Sequence, residues 1–216
     1  LALELVDGLI KPKILLRVSA TPKYIPSRAE TAGYLEIKHS DVIESGLIKE
    51  KIIFQTEEDL DKNFLKNLDQ DEVLLELAYF KRLELIQLYK KLDIKINPLV
   101  LIQLPNDDQA SKKTSSTNKQ AIVLDYLKRK GVKSNEISIW LSKEKDNLYD
   151  LENNDSKVSF LIFKQAAATG WDCPRASILV MFREIKNPIF AIQTVGRILR
   201  LPFAKRLIFP ELNFGY

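Results

Sequence analysis

Two arginines three residues apart close the run Gln193-Thr194-Val195-Gly196-Arg197-Ile198-Leu199-Arg200. A guanidinium is permanently charged, planar and rich in N–H donors, so it can hold phosphate oxygens bidentately. Residues three apart on a helix project from one face, and Gly196 beside them lets another surface come close. Facing a nucleotide, two such groups could neutralise charge building on a transferring phosphoryl group. The same pair would also serve as solvated residues or salt-bridge partners on an amphipathic helix.

A second segment, Ala166-Ala167-Ala168-Thr169-Gly170-Trp171-Asp172-Cys173-Pro174, follows an apolar run and is rich in small residues. Small residues admit a ligand to the backbone, and strand ends are where open parallel sheets bind ligands. Asp172 could accept a hydrogen bond from a ribose hydroxyl or orient an arginine; a turn-forming aspartate is the other reading. Trp171 reads as a packing residue rather than a stacking platform. A third segment, Ser19-Ala20-Thr21, follows the strand-like stretch Lys13–Val18, and Pro22 and Pro26 then mark a loop.

The elements that must hold these segments can be read from periodicity. Pro98 to Leu104 is a continuous apolar run, as expected of a strand buried on both faces of a parallel sheet. Further strands are predicted at Tyr34–Lys38, Ile48–Gln55, Ile137–Leu141, Val158–Phe163 and Ser177–Phe182. A short helix capped by Ser40-Asp41 should end at Gly46. A long one over Asp71–Lys95 should bury Leu74, Leu77, Ala78, Leu85, Leu88 and Leu92. Two more are predicted at Thr117–Lys130, stopped by Gly131, and Pro188–Leu199, with proline near its start. The polar stretch Pro105 to Lys119 reads as a surface loop. Strand–helix alternation from Pro98 onward predicts an α/β fold with a parallel sheet.

Composition narrows the chemistry. With Cys173 as the one cysteine and His39 as the one histidine, neither an internal disulfide nor a cysteine or histidine metal cluster can form, and a reducing cytoplasm is expected. No apolar run approaches the roughly 18 residues of a membrane span. The net charge of +4 is unevenly spread. Between Phe160 and Arg206, eight Lys and Arg stand against Asp172 and Glu184, a footprint suited to the phosphates of a nucleotide or a nucleic acid. Met181 is the sole methionine, so Leu1 is not an initiator residue and a longer parent protein is expected.

Taken in order, the three segments resemble the motor motifs of superfamily-2 helicases. Ser19-Ala20-Thr21 is similar to the motif that ends the first RecA-like lobe and couples ATP hydrolysis to nucleic-acid movement. Thr169-Gly170-Trp171-Asp172 and Gln193 through Arg200 are similar to the fifth and sixth motifs, in the second lobe, and Val100 to Gln103 stands where the fourth would be. Gly170-Trp171-Asp172-Cys173-Pro174-Arg175-Ala176, the arginine run and Asp41-Val42-Ile43-Glu44-Ser45-Gly46-Leu47-Ile48 resemble, more narrowly, the restriction (Res) subunit of type III restriction-modification enzymes.

The resemblance implies a RecA-like parallel sheet flanked by helices, the second helicase lobe, over residues 97–216. Residues 1–22 would end the first lobe and 23–96 would connect the two. It implies arginine fingers at Arg197 and Arg200, and a nucleotide site with Gln193, Gly170 and Asp172. Nucleic-acid contacts would fall at Lys164, Gln165 and Thr169, where many superfamily-2 proteins have Thr-Asp in place of Lys164-Gln165. Interlobe coupling would run through Ser19, Ala20 and Thr21.

None of the seven glycines precedes a lysine, so the sequence has no P-loop. ATP and Mg²⁺ would then be gripped mainly by a lobe outside these residues. Double-stranded DNA and a DNA-methyltransferase (modification) subunit are the implied partners, with no membrane. A DNA-repair or RNA helicase without nuclease, and a degenerate nucleic-acid-binding module, remain open alternatives.

Overall fold

The computed structural model describes residues 5–11, 13–16, 18, 27, 33–56, 69–105, 115–164, 171–182 and 188–216. Contacts divide the chain into two compact units, Leu1–Glu36 and Ile37–Tyr216. In the first, Leu5–Ile10 forms a short π-helix. The described residues of Lys13–Val18 form no ladder, and Ile14, Leu16 and Val18 are exposed. β-branched and apolar residues favour a strand only where a neighbouring strand completes it.

The second unit opens with α1 (His39–Glu44), after which Gly46 turns the chain at φ +75°. That left-handed conformation favours glycine, as expected of a helix stop. The strand expected over Ile48–Gln55 contracts to β1 (Lys51–Ile52), with an isolated bridge between Ile48 and Arg200. Tyr34–Lys38 has no regular structure.

The long helix α2 spans Gln70–Lys91; the Asp69 side chain caps it by accepting from the Glu72 N–H at 2.8 Å. Asp71 and Glu72 in its first turn, and Lys90 and Lys91 in its last, complement the helix dipole. Its buried stripe is rotated from the expected one: Leu75, Ala78, Arg82, Leu85 and Tyr89 are buried, while Leu74, Leu88 and Leu92 are only partly so. Arg82 explains the rotation. Its guanidinium donates to Pro98 O at 3.0 Å, to Asn97 Oδ1 and to Ser159 Oγ at 2.6 Å, and lies over the Phe160 ring. An arginine so satisfied can be buried, but hydrophobic spacing counts it as a surface residue.

The central sheet comprises β2 (Leu99–Gln103), β3 (Ile137–Trp140), β4 (Lys145–Asp146), β5 (Phe160–Phe163) and β6 (Ala176–Met181), ordered β4-β3-β5-β2-β6. Its ladders are parallel except β3–β4. Val100 lies opposite Phe160 on one side and Ile178 on the other. The remaining elements are α3 (Ser115–Arg129), followed by Gly131 at φ +77°, α4 (Pro188–Val195) and β7 (Phe214–Gly215). Residues 106–114, most of the predicted surface loop, lie outside the described residues. β7 pairs in parallel with β1. Tyr216 N donates to Ser177 O at 2.9 Å and Leu179 N to Tyr216 O at 2.7 Å, which ties that pair to the edge strand β6.

Alternation along β2 feeds two cores. Val100 and Ile102 pack with Leu75, Leu85, Val123 and Leu127 of α2 and α3. Leu99 and Leu101 pack on the other face with Leu161, Cys173 and Ile198. Burial on both faces explains the unbroken apolar run, each such side chain contributing roughly 1.5–3 kcal/mol. The result is an α/β lobe of RecA-like type. Among the described residues no helix is long and apolar enough to cross a membrane.

Candidate active site

The site lies on the face that Leu99 and Leu101 look into. Ile198 is buried there and anchors a 3₁₀ turn, Gly196–Leu199, that continues from α4. Arg197 belongs to this turn, whereas Arg200 follows it in extended backbone, at φ −70° and ψ 140°. The two arginines therefore do not share the face of one α-helix, as spacing predicted. They converge instead on two consecutive residues. Arg197 donates from Nη1 to the Trp171 carbonyl at 3.2 Å, and its guanidinium carbon lies 5.6 Å from the Trp171 ring centroid. Arg200 Nε is 3.6 Å from Asp172 Oδ1, with both side chains about half exposed.

Electrostatics separate the two. Partial burial pushes Arg197 below the usual guanidinium pKa, and it donates to a backbone oxygen. Arg200 has a carboxylate partner and open solvent. An exposed ion pair of that length adds little stability, so its guanidinium can exchange Asp172 for another anion at small cost.

Trp171 is a packed residue, as its sequence context suggested. Its indole N–H donates to Glu152 Oε1 at 2.7 Å, and its ring meets Trp140 edge to face, 5.9 Å between centroids at 84°. Cys173 beyond it is buried, and burial pushes its thiol up to about 11, so it stays protonated and unreactive at neutral pH. Arg175 is wholly buried. It donates twice to Leu151 O, at 2.9 and 2.7 Å, and once each to Asn97 O and Val158 O, both at 2.8 Å.

Lys164 stands just past the carboxyl end of β5, and its carbonyl accepts from Gln103 Nε2, at the end of β2, at 3.1 Å. Gln103 is fully buried, and its Oε1 is the one buried side-chain oxygen without a partner among the described residues. Gln193 is exposed near the end of α4, beside the buried Thr194. Gln165, Thr169 and Gly170 lie outside the described residues, as do Ser19, Ala20 and Thr21.

Periodicity predicted a strand over Ile48–Gln55 but not that its start clasps the arginine segment. Lys49 N donates to Leu199 O at 2.6 Å, Leu201 N to Leu47 O at 3.4 Å, and Glu50 N to Asn213 O at 2.9 Å. The Lys49 ammonium is buried and reaches Ala176 O and Ser177 Oγ, each at 3.1 Å, at the start of β6. Burial pulls its pKa down to about 7. Within Leu47-Ile48-Lys49-Glu50-Lys51-Ile52 nothing distinguishes this lysine from its charged neighbours; its burial follows from contacts more than a hundred residues distant.

A mostly parallel sheet flanked by helices is consistent with a RecA-like lobe. The family model of the helicase conserved C-terminal domain matches residues 100–202. The match runs from β2 through the arginine turn and supports a helicase C-terminal lobe over this stretch. No curated protein and no solved structure matches the chain.

Proposed function

We propose that this chain is the second motor lobe of an ATP-dependent DNA helicase or translocase, and that its parent is the restriction subunit of a type III restriction enzyme. The observation that carries the motor reading is the convergence of Arg197 and Arg200 on Trp171-Asp172, inside the helicase match. One guanidinium braced on a ring and one lightly held by an exposed carboxylate suit a surface that meets phosphate oxygens across a lobe interface. Arg197 and Arg200 act as arginine fingers, lowering the barrier by meeting charge on the γ-phosphoryl group. Asp172 holds Arg200 when phosphate is absent and, with Gln193 and Gly170, lines the nucleotide. Lys164, Gln165 and Thr169 meet the DNA backbone at the carboxyl end of the sheet. Ser19, Ala20 and Thr21 carry the movement between lobes.

The lobe with the P-loop supplies the grip on ATP and on Mg²⁺. The narrower assignment rests on the likeness of Gly170 through Ala176 and of Asp41 through Ile48 to restriction subunits. It implies double-stranded DNA and a methyltransferase subunit as partners.

Two measurements on the full-length gene product test this reading. Arg197→Ala and Arg200→Ala should each cut DNA-stimulated ATP turnover by roughly two orders of magnitude, the scale of arginine-finger contacts. ATP affinity should fall much less, and the melting temperature should hold. Near-normal turnover in both variants rules out the fingers. ATP-dependent DNA cleavage with the methyltransferase subunit then tests restriction; turnover without cleavage leaves a helicase lacking nuclease.

A further inference from the structure

An arginine on a short 3₁₀ turn is poorly placed to hold a fixed direction. Its side chain is long and rich in rotamers, and the turn offers one buried anchor, Ile198. Yet Trp171 meets the Arg197 guanidinium twice, with its carbonyl at 3.2 Å and with its ring face at 5.6 Å. A cation within about 6 Å of an indole face is attracted by the ring quadrupole, more so where water is partly excluded. Arg197 is partly buried there.

The ring itself is held on two further sides. Its N–H donates to Glu152 at 2.7 Å, and its other contact is the edge-to-face pair with Trp140. Trp140 ends β3 and stands opposite Phe163 in the β3–β5 ladder. The direction of Arg197 is thus referred to the sheet through Trp140 and Trp171. Simple packing would need bulk at position 171, but not an aromatic face beneath a cation with its N–H pinned to a carboxylate.

We propose that Trp171 is a positioning residue for Arg197, setting the guanidinium before the phosphoryl group arrives, so that little ordering remains in the transition state. This rests on the arginine-finger reading of Arg197. Consecutive residues then divide the labour: Trp171 fixes Arg197 with a ring and a carbonyl, and Asp172 holds Arg200 with a charge.

The test compares Trp171→Leu, which keeps bulk without a π face, with Trp171→Phe, which keeps both, in the full-length protein and in its Arg197→Ala form. Trp171→Leu should lower kcat about tenfold with KM for ATP within about twofold, and Trp171→Phe should restore kcat to within about threefold of the parent. In the Arg197→Ala background Trp171→Leu should cost nothing further. Should Trp171→Leu fail to fold, Glu152→Ala removes the acceptor that braces the indole N–H at an exposed position and should lower kcat two- to threefold at unchanged melting temperature. Equal losses from Trp171→Leu with and without Arg197, or full kcat in Glu152→Ala where Trp171→Leu is unfolded, overturn the positioning role alone. Normal turnover of Arg197→Ala by itself overturns the finger reading as well.

Discussion

Arg175 and Arg200 show two uses of one side chain in a single lobe. Arg175 is wholly buried below the amino ends of β2, β5 and β6, where four hydrogen bonds to Leu151, Asn97 and Val158 carbonyls consume its donors. Arg82 reaches the same end of the sheet from α2, bonding Pro98 O and Ser159 Oγ, with burial lowering its pKa to about 10. These guanidinia are structural cross-links between segments distant in the chain. Arg200 and Asp172 stand half in solvent, joined at 3.6 Å. A charge that can act on a ligand must not be fully committed to its own protein, and the arginines differ in that respect.

The largest expected effect therefore falls on the buried region. Arg175→Met strips Asn97 O of this donor and leaves Val158 O and Leu151 O only Asn97 Nδ2 at 3.2 Å and the weak Cys173 thiol at 3.6 Å, so the loss should be on the order of 3 kcal/mol. Urea unfolding measures it, and a midpoint near that of the parent would break the contrast with Arg200.

Lys49 gives the next effect, through pH. Its pKa is about 7 in the folded lobe against an ordinary 10.5, lowered by burial and opposed by the nearby Cys173. Between these values the unfolded chain binds a proton that the folded one does not, so stability rises with pH; the penalty is full below about pH 7 and gone above 10.5. From pH 7 to 9 the gain should be on the order of 2 kcal/mol. Lys49→Met should flatten that slope. Equal slopes for parent and variant across pH 7–9 would show that Lys49 titrates normally.

Gly46 sharpens the comparison from the side of the connecting segment. It sits at φ +75°, and a Cβ there would meet Lys205 Cα at 3.2 Å, Ala204 O at 3.3 Å and Arg206 N at 3.3 Å. Those are backbone atoms, which cannot swing aside. Gly46→Ala should cost about 1–2 kcal/mol from the left-handed backbone alone, read by thermal unfolding, whereas alanine at no measurable cost would mean that this turn does not clasp the arginine segment. The smallest change is expected at the open site: Arg200→Ala should shift stability by less than about 0.5 kcal/mol. A loss comparable to that of Arg175→Met would make Arg200 a structural residue.

Much of this lobe was legible in its residues. The apolar run at Leu99–Gln103 announced a strand buried on both sides, and Gly46 and Gly131 marked helix ends, because local sterics and the period of burial act over a few residues. The motif order pointed to a helicase lobe, and the match to residues 100–202 agrees with that reading. What spacing misjudged was the arginine pair, expected on one helical face. Their meeting depends on where Trp171 and Asp172 pass, some twenty-five residues earlier in the chain.

Sequence by itself determined the α/β alternation, the position of the central strand and the supply of unpaired-looking guanidinia. Only the tertiary structure decided which guanidinia are spent. Arg82, Arg175, Arg197 and Arg200 are alike as letters, since charge type and donor count belong to the side chain. Burial and partners belong to the fold, and they arise from distant segments: Leu47 meets Leu201 beside the antiparallel bridge Ile48–Arg200, and Asn97 meets Arg175 where β2 pairs in parallel with β6.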